Sequence, residues 1–193
     1  MIKHRPKYKQ IIEGAIEVIA ENGFHASQVS KIAKKANVAD GTIYLYFKNK
    51  EDILISVFRD KMGYFVEETM QAIEKKTTAS EKLATFVYMH YKLLSESPYL
   101  AIVTQLELRQ SKPELRHEIN SVLKAYLDII DLIVQQGIEE ETIRADINPQ
   151  LIRQMVFGTI DETVTTWVMK SQRYDLVEQA EDIHQLLING LFK

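Results

Sequence analysis

Apolar residues recur along this chain at intervals of three and four, the period of a helix with one buried face. Ile12, Ala15, Ile16 and Ile19 form the first run, and Asn22-Gly23 stops it. Val29, Ile32, Ala33 and Ala36 form the second, with Ser27 read as its N-cap. Asn37 suits the turn that follows, because asparagine tolerates the left-handed conformation. A short helix is expected over about 41–47. Asn49 then caps a long helix carrying Ile53, Leu54, Val57, Phe58, Met62, Phe65, Val66, Met70 and Ile73.

The rest of the chain keeps the same period. Ser80 is expected to cap a helix bearing Leu83, Phe86, Val87, His90, Tyr91 and Leu94. Ser97-Pro98 opens another, through Leu108, and Pro113 starts a long one that runs to Gly137. Asn148-Pro149 pairs an N-cap with an N1 proline for a helix to about Met169, and Asp175 caps the last helix, ending near Gly190. No segment sustains period-two alternation. The pattern predicts an all-α protein of about nine helices, with a head at residues 1–50 and a body at 51–193.

Composition narrows the class. The 193 residues are 46% hydrophobic, enough for a sizeable core, and include only seven Gly and four Pro. There is no cysteine, which excludes disulfides, thiolate metal sites and a cysteine nucleophile. The charged start MIKHRPKYK lacks a following apolar stretch and does not read as a signal peptide. No apolar run approaches the roughly 20 residues that span a bilayer. A cytoplasmic protein is the expectation.

Charge is unevenly placed. Residues 1–50 carry nine Lys/Arg against four Asp/Glu, whereas the remainder carries fifteen against twenty-three. A basic head on an acidic body suits a nucleic-acid contact confined to one end. Two helices joined by a tight turn at Asn37-Val38, after a first helix, have the spacing of a helix-turn-helix. Within the row Ile43-Tyr44-Leu45-Tyr46-Phe47, Ile43 and Phe47 share a face and should plug into the bundle. Tyr44 and Leu45 then point away from it. Gly41 and Thr42 open this short helix, where unpaired N–H groups favour an anion.

The stretch QVSKIAKKANVADGTIYLYFKNKEDIL strongly resembles the DNA-binding domain of TetR-family repressors, over residues 8 to about 56 without a gap. The resemblance implies that Thr42, Tyr44, Tyr46 and Lys50 contact phosphates or bases and that Leu45 meets base edges. It also implies that Gln28 and Ser30 reach the groove from the preceding helix, with Gly41 at the helix start and Ser27 as cap and phosphate donor. Asn37 stands where many members have glycine.

For the body, the resemblance implies a ligand-binding and dimerisation domain. The last two helices would pair with their two-fold mates through Met155, Ile160, Val164, Trp167 and Val168, and through Val177, Ile183, Leu186, Leu187 and Leu191. AIVTQLELRQSKPELRHEI and QMVFGTIDETVTTWVM are similar, more narrowly, to the acyl-CoA-responsive regulators of fatty-acid degradation. That implies a homodimeric repressor, not an enzyme, bound to double-stranded operator DNA and released by a long-chain acyl-CoA effector. Tyr91, Leu94, Ile102, Leu106, Tyr126, Ile130, Phe157 and Ile160 would line an acyl tunnel. Arg109, Lys112, Arg116 and Arg153 would meet the CoA phosphates.

Two other readings compete. Glu107, Asp161 and Glu162 would be charge partners if the repressor sensed a cationic ligand instead. Glu114-x-x-His117 and Glu181-x-x-His184 match the pair of motifs used by ferritin-like di-iron enzymes, with Glu107 and Glu162 as the further carboxylates. No phosphate-binding loop, nucleophile elbow or dinucleotide motif is present.

Overall fold

The computed structural model describes residues 6–191, and among them lie nine α-helices and one short 3-10 turn. The chain divides into two compact units. The first runs up to Lys61 and adds Tyr99–Val122; the second comprises Met62–Pro98 and the chain from Leu123 onward. The expected boundary at 50/51 falls inside the first unit, to which the chain returns once at Tyr99–Val122.

In the first unit, α1 (Pro6–Asn22) opens on a proline and buries Tyr8, Ile11, Ile12, Ala15, Ile16, Val18 and Ile19. It ends at Gly23, whose φ of 75° is left-handed and whose N–H donates to Ile19 O at 2.7 Å. Helix α2 (Val29–Lys35) packs on α1 through Ile32 and Ala33. The crossing is close at Gly14, where a Cβ would lie 3.0 Å from the Ala36 backbone nitrogen. Asn37 takes a φ of 53°, as its residue type allows, and leads into α3 (Asp40–Ile43).

The short recognition segment is less helical than its pattern suggests. Helix α3 has four residues, and Tyr44–Phe47 continues as turns held by Leu45, Tyr46 and Phe47 N–H groups. Helix α4 (Lys50–Ile73) begins as expected: the Asn49 side chain accepts from the Asp52 N–H at 2.8 Å. The Asp52 carboxylate reaches back to the Lys48 N–H at 2.9 Å, completing a reciprocal cap. From α6 (Pro98–Glu107) and α7 (Pro113–Glu139), Tyr99–Val122 belong to this unit.

The second unit is built from the rest of α4 and α7 with α5 (Ala79–Ser95), α8 (Pro149–Met169), the 3-10 turn Val177–Gln179 and α9 (Ala180–Leu191). Helix α5 packs against both α8 and α9. Phe65, Phe86, Tyr91, Tyr126, Ile130, Val156, Ile160 and Trp167 form the core.

Caps correct two expectations here. Thr78, not Ser80, caps α5, and its hydroxyl and the Glu81 carboxylate satisfy each other's backbone N–H groups. Asp175 does not cap α9; it lies before the 3-10 turn and accepts from the Val177 N–H at 2.8 Å. Asn148 caps α8 as expected, accepting from the Gln150 N–H at 2.9 Å.

Candidate DNA interface and effector unit

Ile43 and Phe47 are almost fully buried, and the Phe47 ring stacks on Tyr8 with centroids 5.3 Å apart. That anchoring turns the intervening residues outward. Tyr44 is 59% exposed and Leu45 76%. Tyr44 and Leu45, adjacent and exposed just past the four-residue α3, offer a contiguous aromatic and apolar face. Gln28, Ser30 and Gly41 are exposed, and Thr42 is half-buried.

Tyr46 is half-buried and tilts against both Tyr8 and Phe47, at 6.5 and 6.4 Å between centroids. Its ring therefore packs while its hydroxyl carries any polar contact. Thr42 donates its N–H to Ala39 O at 2.8 Å, which removes one of the donors expected to hold an anion there.

Two residues take roles other than the expected ones. Ser27 is buried and its hydroxyl points to Gly23 O (2.7 Å) and Val18 O (3.2 Å). It ties the α1–α2 loop together, while Gln28 occupies the N-cap of α2 without a side-chain bond. A hydroxyl whose proton is spent on carbonyls cannot also donate to a phosphate. Lys50 places its ammonium 2.9 Å from both Phe24 O and His25 O and 4.7 Å from the Phe24 ring centroid. It clamps the same loop from the start of α4, a cation satisfying backbone carbonyls and a ring face together.

Glu107 closes this loop from a third side. Its buried carboxylate accepts from the Phe24 N–H at 2.8 Å and from Gln110 Nε2 at 2.5 Å. Both reserve roles for Glu107, as metal ligand and as partner of a cationic effector, give way to this structural one. The pattern gave no sign of it, because the partner is a backbone group 83 residues away. Lys31, Lys34 and Lys48 are exposed cations of the same unit that the motif did not single out; the basic balance of the head was their only signal.

In the second unit, Tyr91, Leu94, Tyr126, Ile130 and Ile160 are buried and Phe157 is half-buried. Leu94 lies four residues after His90 on α5, and Ile130 four after Tyr126 on α7, so each pair shares a helix face. Tyr126 sits 5.0 Å from Phe86, 5.9 Å from His90 and 6.4 Å from Phe65 between ring centroids. Burial pushes the Tyr91 hydroxyl up to about 12, and it raises the Tyr126 hydroxyl further. Both phenols stay neutral. Ile102, the exposed Leu106, Arg109 and Arg116 belong instead to the first unit.

The basic candidates already have partners. Arg153 is paired with Asp131 at 2.7 Å, Lys112 with Glu51 at 2.9 Å, and Arg116 donates to Gln110 O at 3.1 Å. An open cleft of about 670 Å³ lies elsewhere in the second unit, lined by Lys75, Lys76, Tyr88, Met89 and His184 among others. None of the expected tunnel residues lines it.

The expected dimer faces divide in two. Ile160, Val164, Trp167 and Leu187 are buried within their own unit, so they are core rather than interface. Met155 and Leu186 are exposed, as is Leu151 one turn before Met155, and Val168, Val177 and Ile183 are intermediate. The Leu191 side chain lies outside the described residues. The two E-x-x-H motifs fall in different units, and no group of three or more metal-ligating side chains occurs among the described residues. No described helix is long and apolar enough to cross a membrane.

An anchored three-helix head with an exposed Tyr-Leu face, followed by a helical second unit, defines a helix-turn-helix regulator. Residues 11–57 match the bacterial regulatory proteins of the tetR family, and residues 58–190 match the C-terminal region of YsiA-like proteins. The chain belongs to the TetR family of transcriptional regulators.

Within that family it is 60% identical over 191 residues to the fatty acid metabolism regulator protein of Bacillus subtilis (strain 168), covering 99% of this chain and 98% of that one. The crystal structure of FadR from Bacillus subtilis in complex with stearoyl-CoA superposes with a TM-score of 0.92 at 60% identity, over 95% of this chain and 98% of that one. The fatty acid degradation regulator FadR of Bacillus halodurans gives 0.92 at 54% identity, over 95% and 99%. These relatives are regulators and not enzymes, which removes the di-iron reading.

Proposed function

We propose that this chain is a homodimeric repressor of fatty-acid degradation genes that binds operator DNA and is released by long-chain acyl-CoA. The observation that carries this reading is its 60% identity, end to end, with a fatty acid metabolism regulator, together with the match to a stearoyl-CoA complex. Tyr44 and Leu45 read the groove, with Gln28, Ser30, Gly41, Thr42 and the Tyr46 hydroxyl contributing backbone contacts. Lys50 acts mainly by shaping the loop beneath them.

The acyl chain is taken up by the interior of the second unit, along Tyr91, Leu94, Tyr126, Ile130, Phe157 and Ile160. Each buried methylene adds about 0.8 kcal/mol, so long chains outbind short ones. The CoA phosphates are met by cations, of which Arg153 lies in this same unit. Arg153 would exchange the partly exposed Asp131 for a phosphate, a cheap exchange because such pairs contribute little. Dimerisation uses the outer faces of α8 and α9, where Leu151, Met155 and Leu186 are exposed. The protein works in the cytoplasm, where its operator and its effector meet.

Release follows from linkage. A ligand that prefers a form with mis-spaced heads weakens operator binding by no more than that preference. Helices α4 and α7 each contribute residues to both units, which makes them the covalent route between effector and head.

Titrating an operator complex with acyl-CoAs of graded length tests the reading by fluorescence anisotropy. Long-chain acyl-CoA should release the DNA, and short-chain acyl-CoA and free CoA should not. Release by quaternary amines with no response to any acyl-CoA would replace this effector with a cationic one.

A further inference from the structure

We propose that His90 recognises the thioester carbonyl of the effector, its Nε2–H donating a hydrogen bond to that oxygen. The inference rests on the acyl-CoA reading above and assigns one polar contact within it.

His90 is buried on α5 in an aromatic setting, with Tyr91 and Tyr126 each 5.9 Å away between ring centroids. Its Nδ1 lies 2.9 Å from the Tyr126 hydroxyl. Its Nε2 is buried with no hydrogen-bond partner. Buried polar atoms are almost always paired, so an orphan of this kind asks for a reason. A phenylalanine would fill the same aromatic slot without leaving a polar atom stranded.

The tautomer follows from counting protons. If Tyr126 donates to Nδ1, the phenol proton is satisfied and one donor, Nε2–H, is left over. If Nδ1–H donates instead, both the phenol proton and the Nε2 lone pair are stranded. The first arrangement leaves fewer unmet groups, and it makes Nε2 a donor. Burial lowers the His90 pKa to about 3, so the ring is neutral at any physiological pH. A neutral donor in an apolar setting suits a neutral acceptor and not a phosphate.

Position completes the case. His90 and Tyr126 sit on the faces of α5 and α7 that continue, one turn on, to Leu94 and Ile130. The two helices run antiparallel, as the Ala79–Glu140, Lys82–Gln136 and His90–Tyr126 contacts show, so Leu94 and Ile130 flank the polar pair on opposite sides. A lone donor in an otherwise apolar seam matches a fatty acyl thioester, whose carbonyl is the acceptor beside a hydrocarbon chain. In this form no protein group pairs with Nε2. A form that opens this seam to the ligand gains a bond that the closed form lacks, and that difference shifts the population.

The test compares stearoyl-CoA with S-octadecyl-CoA, the thioether in which a methylene replaces the carbonyl. Binding is read by calorimetry and by the fluorescence of Trp167, the one tryptophan of the chain and part of the same unit. The wild type should bind the thioester about tenfold more tightly than the thioether. His90→Phe should bind both alike, and His90→Gln, whose amide can place a donor near Nε2, should recover part of the preference. Equal binding of the two ligands by the wild type overturns the proposal whatever the variants do, as does a preference that survives in His90→Phe. Failure of the wild type to bind either ligand overturns the acyl-CoA reading itself, and this assignment with it.

Discussion

Tyr44 and Lys50 show how neighbouring residues of one motif divide the work. Tyr44 is 59% exposed and held outward only because Ile43 and Phe47 are buried on either side. Tyr44→Ala should leave the melting temperature unchanged and weaken operator binding by roughly ten- to a hundredfold, in line with about 1–3 kcal/mol for a good groove contact. Lys50 is different, because two carbonyls and one ring depend on it. Lys50→Ala should destabilise the chain by about 1–2 kcal/mol, measured by urea denaturation, and weaken DNA binding through the loosened loop. A loss of DNA affinity with no loss of stability would return Lys50 to a direct phosphate contact. Periodicity made the Ile43–Phe47 anchor legible. It was silent on Lys50 and Glu107, because both act on the backbone of a loop that carries no pattern of its own.

At the level of the helices, existence was legible and ends were not. Ser, Thr and Asn all make good caps, and 77–80 offers three such residues in four, so the pattern alone could not choose Thr78. Side-chain geometry chose it, through Glu81, and Glu140 adds a second carboxylate on the Ala79 N–H at 3.0 Å. The N–H groups of Thr78 and Thr77 hold the Glu81 carboxyl below its usual 4.5. The Ala79 N–H and then Gln136 do the same for Glu140. A carboxylate depressed in the folded state stabilises fully above its unfolded pKa and loses that contribution as pH falls through the folded one. Acidification from about pH 5 to about pH 3 should therefore lower the melting temperature of the wild type by more than that of Glu81→Gln, which has no carboxylate to titrate at that cap. Parallel thermal melts of the two proteins measure it; equal slopes would mean the cap does not contribute. The effector face was harder to read than any cap. An apolar stripe on α5 or α7 looks the same whether it faces protein or ligand, and the proposal for His90 rests on its stranded Nε2 instead.

For the whole molecule, the proposed dimer needs a surface that pairs two copies, and exposure narrows where it lies. The pattern offered ten apolar residues on α8, α9 and the turn before α9 without distinguishing inward from outward. Ile160, Val164, Trp167 and Leu187 proved to be core, whereas Met155 and Leu186 are exposed, as is Leu151, which the pattern did not single out. A two-fold interface is isologous, so every substitution in it counts twice. Leu186→Glu would remove two leucines from the seam and bring in two carboxylates beside the acidic Glu181 and Asp182 of the same helix. Because Leu186 is 65% exposed within its own chain, the change should cost the fold little. Sedimentation velocity should then show a folded monomer where the wild type sediments as a dimer. Operator affinity should fall far more than for a single lost contact, since a monomer holds one half-site and the dimer holds two at fixed spacing. A variant that stays dimeric would move the interface away from this face of α9, while a monomer with intact operator affinity would mean that one head suffices.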